Sequence, residues 1–136
     1  MEAKKILNQH RIVCFLIEDL KKQIEEIDGQ IYGCSSGKIT GMPRGGKPVT
    51  REDLANDKAD IIKRIERLEV VREQKKEIVQ AYIDTVYSAK HNKVLTMFYI
   101  KVLPIWKIAE MEGYSQRHTF RLYEQGLDMV DLSLDL

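Results

Sequence analysis

An all-α protein is predicted, a long antiparallel, coiled-coil-like helical hairpin followed by a C-terminal helix-turn-helix module. Three features of the sequence predict it. Apolar residues recur at heptad spacing through the first arm and, with one interruption, through the second. No segment alternates apolar and polar residues with the period of two that a half-buried strand requires. After residue 88 the pattern breaks into short amphipathic stretches around a glycine-containing turn.

In the first arm, Ile6, Val13, Ile17, Leu20, Ile24, Ile27 and Ile31 form a seam in steps of three and four, with His10 in its one gap. His10 is either a polar residue tolerated in the core or a register device. Lys21, Lys22, Glu25 and Glu26 fill the other faces, and Gly33 is the expected C-terminal stop. Residues 33–49, GCSSGKITGMPRGGKPV, contain five glycines and two prolines and are predicted to be the most mobile internal segment. This loop is a flexible connector or, alternatively, a basic loop that contacts DNA.

Thr50 opens the second arm, with Asp53 placed to complete a capping box and Val49 and Leu54 to form a hydrophobic staple. Leu54, Ile61, Ile65 and Leu68 begin a seam. Six polar residues, Arg72 to Glu77, interrupt it, and Ile78, Val79, Tyr82, Ile83 and Val86 resume it. With no breaker before Tyr87, this helix is expected to be the longer arm. The division expected from these patterns is 1–87 for the hairpin and oligomerisation region, 88–128 for the helix-turn-helix module, and 129–136 for an acidic tail.

Charge sharpens the division. The net charge is only +1, but Lys38, Arg44, Lys47 and Arg51 lie in a stretch without acids, and residues 88–127 hold six basic against three acidic side chains. Positive charge gathered in the loop and the C-terminal module suits a surface that binds phosphate. No run approaches the ~20 apolar residues of a membrane span, and the start lacks an apolar signal segment, so a cytoplasmic chain with reduced Cys14 and Cys34 is expected. There is no metal-ligand spacing, no phosphate loop leading to Lys-Ser/Thr and no nucleophile motif. An enzyme is not expected, nor a cofactor or metal.

In the module, Val94, Leu95, Phe98 and Tyr99 form one apolar face, and Pro104 suits the first turn of the next helix. Ile108 and Ala109 face inward, Glu112-Gly113-Tyr114 turns the chain, and Ser115 caps the last helix. Thr119, Leu122, Tyr123, Gly126 and Leu127 make its inner face, leaving Gln116, Arg117, His118, Phe120 and Arg121 outside it. Two helices about a short turn can brace one against the DNA backbone and present the other to the major groove. Arginine suits guanine edges or phosphate, and glutamine suits adenine. His91 is expected at the surface, and Trp106 to be a partly buried packing residue.

The segments Ile108-Ala109-Glu110, Gly113-Tyr114-Ser115, Arg121-Leu122 and Gly126-Leu127 resemble the fourth region of sigma-70-type factors. They are still more similar to small phage-encoded, sigma-like transcription regulators, whose first helix often begins like MEAKKILNQ. The likeness covers about 95–127 well and the arms less well. It implies a DNA-binding regulator in a bacterial host cell. Its DNA-contacting residues would be Lys107, Ser115, Gln116, Arg117, His118, Phe120 and Arg121. The partners would be double-stranded DNA, RNA polymerase as a further candidate, and a second copy of the chain joined through the hairpin. Two other readings fit the same residues: a small terminase-like DNA-packaging subunit, or a helical adaptor that binds RNA polymerase or another protein. Four positions depart from the family's pattern. Pro104 stands where serine or threonine is common, Trp106 where an exposed acid is, Glu112 where a buried leucine or methionine is, and Thr119 where valine is.

Overall fold

The computed structural model describes residues 2–35 and 50–134. Among them there is helix and no strand, in the order α1 (Glu2–Ser35), α2 (Arg51–Ile83), α3 (Ala89–Leu95), a π-helical turn over Thr96–Ile100, α4 (Ile105–Glu112) and α5 (Gln116–Leu134). Most of the predicted loop, residues 36–49 with Lys38, Arg44 and Lys47, lies outside the described residues, as does Val49 of the expected staple.

The arms differ by one residue, 34 against 33, where the second was expected to be clearly longer. Gly33 does not stop α1, which runs on to Ser35; a helical glycine costs only about 1 kcal/mol. At the other end α2 stops at Ile83 instead of reaching Tyr87. Side chains there compete for the backbone groups that a further turn would use. The Thr85 hydroxyl donates to the Tyr82 carbonyl at 2.6 Å, and the Asn92 amide donates to the carbonyls of Ile83 and Val86 at 3.1 and 3.3 Å. The start of α2 is as expected. Thr50 Oγ1 accepts from the Asp53 N–H at 3.1 Å, and Asp53 Oδ2 accepts from the Thr50 N–H at 3.3 Å, the reciprocal capping box.

The chain divides into two compact units, and both long helices contribute to each. One unit is Leu16–Val70. Within it, Ile17, Leu20, Leu54, Ile61 and Ile65 are buried, and Lys58 Nζ meets Asp28 Oδ1 at 2.7 Å across the two arms. Gly29 sits in this part of α1 with open space where a Cβ would project. Gly29→Ala is therefore expected to stabilise the protein by about 0.5–1 kcal/mol, by restricting the unfolded chain and favouring helix. A denaturant titration reads this as a higher midpoint at unchanged slope.

The other unit joins Met1–Phe15 to Val71–Leu136. The boundaries of this unit fall at 15/16 and 70/71, whereas the sequence pattern placed one at 87/88. Ala3 and Leu7 of α1, Val79, Ile83 and Val86 of the α2 end, and Val94, Leu95, Ile108, Leu122 and Val130 share one buried core. The α1 seam therefore begins with Ala3 and Leu7, while Ile6 is only half-buried. Arg72 and Lys75 of the polar interruption are half-buried too. They keep the three–four spacing that leads to Val79, so their aliphatic stems continue the stripe while their charges reach solvent.

The expected acidic tail is helix. α5 continues to Leu134, with Val130 fully buried, and Asp131 Oδ1 accepts the Ala3 N–H at 2.9 Å. A carboxylate there both satisfies an orphan donor of α1's first turn and complements its dipole. Asp135 and Leu136 lie outside the described residues.

His10 is buried at 3% exposure, and its Nδ1 lies 2.8 Å from the Tyr99 carbonyl. A carbonyl only accepts, so Nδ1 carries the proton. That carbonyl is left open by the backbone around it. Leu103 donates its N–H to Met97 O at 3.0 Å, and residue 104 is a proline with no N–H. The π-helical turn and Val102, held at φ 58, form the irregular stretch that ends there. The position of His10 on the seam is thus explained by an acceptor 89 residues away in sequence.

Candidate nucleic-acid interface

The segment α4–turn–α5 is built as the turn chemistry requires. Gly113 adopts φ 71 and ψ 28 at the end of α4. The Tyr114 N–H reaches Ala109 O at 2.9 Å and the Gly113 N–H reaches Glu110 O at 3.4 Å, the paired bonds of a Schellman motif. A side chain at Gly113 would meet open space, so the left-handed φ, not crowding, selects glycine there. Ser115 Oγ then accepts the His118 N–H at 3.1 Å and caps α5.

Pro104, Trp106, Glu112 and Thr119 have physical accounts here, or in one case a correction. Thr119 is fully buried, and its hydroxyl donates to Ser115 O at 2.9 Å, so it pays no desolvation penalty. Glu112, 16% exposed, pairs with Lys93 of α3 at 3.0 Å. That carboxylate replaces an apolar contact by an ion pair and holds α4 to α3. Pro104 precedes α4 and accepts the first helical N–H bonds, from Lys107 and Ile108, on its carbonyl. Trp106 is 55% exposed and not the partly buried packing residue expected; Lys107 Nζ lies 5.9 Å from its ring centre.

Lys107 and His118 are half-buried; Ser115, Gln116, Arg117, Phe120 and Arg121 are exposed. The His118 ring meets Tyr114 edge-on, with centres 4.9 Å apart. Phe120 leaves 47% of its surface exposed beside Tyr123, at 5.8 Å. Among the described residues no carboxylate lies within ion-pair distance of Arg117 or Arg121. The inner face of α5 is Thr119, Leu122, Tyr123, Gly126, Leu127 and Val130, all buried. Its outer face changes sign along its length, from Arg117 and Arg121 to Glu124 and Asp128. An anionic groove would attract the first half and repel the second.

No protein family matches this chain, and no curated protein or solved structure does. The arrangement therefore stands on its own geometry. Among the described residues no cluster of His, Cys, Asp or Glu could hold a metal ion, and no helix is long and apolar enough to cross a membrane.

Two groups tie the interface to its support, and sequence reading did not place either. His91, expected at the surface, bridges α3 and α5. Its Nε2 donates to Gln125 Oε1 at 2.8 Å, and Nδ1 accepts from the Ser88 hydroxyl at 2.6 Å. Tyr99 and Tyr123 share a buried hydroxyl–hydroxyl hydrogen bond of 2.7 Å. Burial, reinforced by that bond, holds the Tyr99 phenol far above its usual pKa. The Tyr99–Tyr123 pair is 24 residues apart and the His91–Gln125 pair 34, with no motif spacing to announce them.

Proposed function

We propose that this chain is a DNA-binding transcription regulator of phage or prophage type that reads duplex DNA with α5, in the manner of sigma region four. The observation that carries this reading is the set of side chains on the first two turns of α5. Gln116, Arg117, Phe120 and Arg121 are exposed and the two arginines have no protein partner among the described residues. The turn before them fixes where the helix starts. Arginine and glutamine supply donors and acceptors for base edges, and phenylalanine an apolar surface for a thymine methyl. Lys107 on α4 supplies a cation for the flanking backbone. Two copies joined through the helical arms would present two such helices to a two-part site.

A second partner is favoured by α4 itself. Trp106 and Met111, 55% and 56% exposed, offer apolar surface that phosphate does not use. RNA polymerase or another protein suits such exposed apolar side chains. In its strongest form this is the adaptor reading, in which the module binds protein and not DNA.

The test begins with selection of genomic fragments retained by the full chain. Affinity and melting temperature are then measured for Arg117→Ala and Arg121→Ala at fixed salt. Each variant is expected to melt like the parent. A base-reading arginine should lose about 1–3 kcal/mol of binding at one base position. A phosphate-binding one should weaken all sequences alike and lower the salt slope by about one unit. If both variants fold normally and bind as tightly as the parent, α5 is not the reading helix and the adaptor reading replaces it.

A further inference from the structure

A groove of about 620 Å³ is lined by the N-terminal part of α1 and one flank of α5, within the unit that holds the module. Phe98, Phe120 and Tyr123 are among its apolar lining. Lys4 and Arg11, on the α1 side, bring two cations; Glu124 and Asp128, on the α5 side, bring two carboxylates. None of these four charges pairs with another within 4 Å. Size and lining match a site for a small molecule: mostly apolar walls with a few convergent polar groups.

Arg11 is the most informative of these side chains. Its guanidinium carbon lies 4.0 Å above the centre of the Phe98 ring. Stacking of this kind fixes the plane of the group and leaves its edge for an acceptor. Its Nε is buried and has no hydrogen-bond partner among the described residues. Because Nε is closed off, a ligand in the groove meets the guanidinium through its terminal Nη groups, and a carboxylate seated edge-on against them gains charge-assisted hydrogen bonds.

We propose that this groove is a binding site for a small zwitterion with a flat aromatic body, the class to which the aromatic amino acids belong. The carboxylate meets Arg11, with Lys4 nearby on the same helix. The ammonium group meets Glu124 and Asp128, and the ring lies against Phe98, Phe120 and Tyr123. A purely anionic ligand would face the two acids unrelieved, and a purely cationic one would face Arg11. Only a ligand with both charges answers both walls.

Calorimetric titration of the full chain tests this with four probes. They are L-tryptophan, L-phenylalanine, tryptamine, which lacks the carboxylate, and indole-3-propionate, which lacks the amine. The two zwitterions are expected to saturate one site, with L-tryptophan about tenfold tighter than either indole probe of single charge, the value of one charge-assisted hydrogen bond. Arg11→Gln should weaken L-tryptophan and indole-3-propionate and spare tryptamine. Asp128→Asn, at an exposed position, should weaken L-tryptophan and tryptamine and spare indole-3-propionate. That crossed pattern cannot come from general loss of structure. Should Arg11→Gln disturb the fold, the Asp128 arm decides alone. Absence of saturable binding by L-tryptophan and L-phenylalanine overturns the proposal. So does equal affinity for all three indole probes, which would mean apolar contact only. The titrations contain no DNA, so their failure is separate from failure of the proposed function.

Discussion

Gly126→Ala is expected to destabilise the protein by up to about 2 kcal/mol, although alanine is the better helix former. A Cβ at this position would lie 2.9, 3.0 and 3.4 Å from three carbons of Leu95. Leu95 is itself fully buried and part of the shared core. Overpacking of this kind costs about 1–3 kcal/mol, against roughly 1 kcal/mol gained in helix propensity. Gly126→Val, with two more carbons and a branched Cβ, should lose considerably more. Leu95→Ala alone should lose about 2–5 kcal/mol through the cavity it leaves. Combined with Gly126→Ala it should lose less than the sum, because the new methyl group then occupies space that Leu95 has vacated. Denaturant unfolding of the two single variants and the double variant measures this coupling. Strict additivity would show that α3 and α5 do not meet through this pair.

His10→Ala should cost about 3–4 kcal/mol, combining a cavity with loss of the buried donor to the Tyr99 carbonyl. Two further replacements separate those contributions. His10→Leu fills the space and leaves the carbonyl unpaired, so about 1–3 kcal/mol of loss should remain. His10→Gln keeps an N–H donor and should lose least. Equal stability of the leucine and glutamine variants would show that the hydrogen bond contributes nothing and that His10 acts by volume alone. The glutamine variant matters because an apolar swap at a seam position would ordinarily stabilise a two-helix contact.

What the sequence disclosed and what it hid follow from the range of the interactions. Thr50 with Asp53, Gly113 and Ser115 were legible because each acts within three to five residues, on the backbone beside it. The outer face of α5 was legible because helical periodicity separates Thr119, Leu122 and Tyr123 from Arg117, Phe120 and Arg121. The end of α2 was misjudged, since Asn92 folds back on carbonyls six and nine residues earlier. The role of His10 and the pairing of Glu112 with Lys93 depend on which helices become neighbours, and periodicity carries no such information. Likewise the C-terminal aspartates looked like a solvated tail because three acids in nine residues dominated the impression. The apolar residues Met129, Val130 and Leu134 between them hold the helix to the core.

The bond between the Ala3 N–H and Asp131 spans 128 residues of sequence, and the core around it takes in both Leu7 and Val130. Translation delivers those partners 128 residues apart. Residues 16–70, which form the other unit, leave the ribosome early and have their own buried contacts available at once. The N-terminal turns of α1 wait longer, His10 for Tyr99 and the core around Leu7 for α5. Contacts of such separation also carry the largest loop-closure entropy, which slows their formation. The surface proposed to read DNA thus shares its core with the N-terminal turns of α1, and loss of Val130 and Asp131 would uncover Ala3 and the residues packed around it.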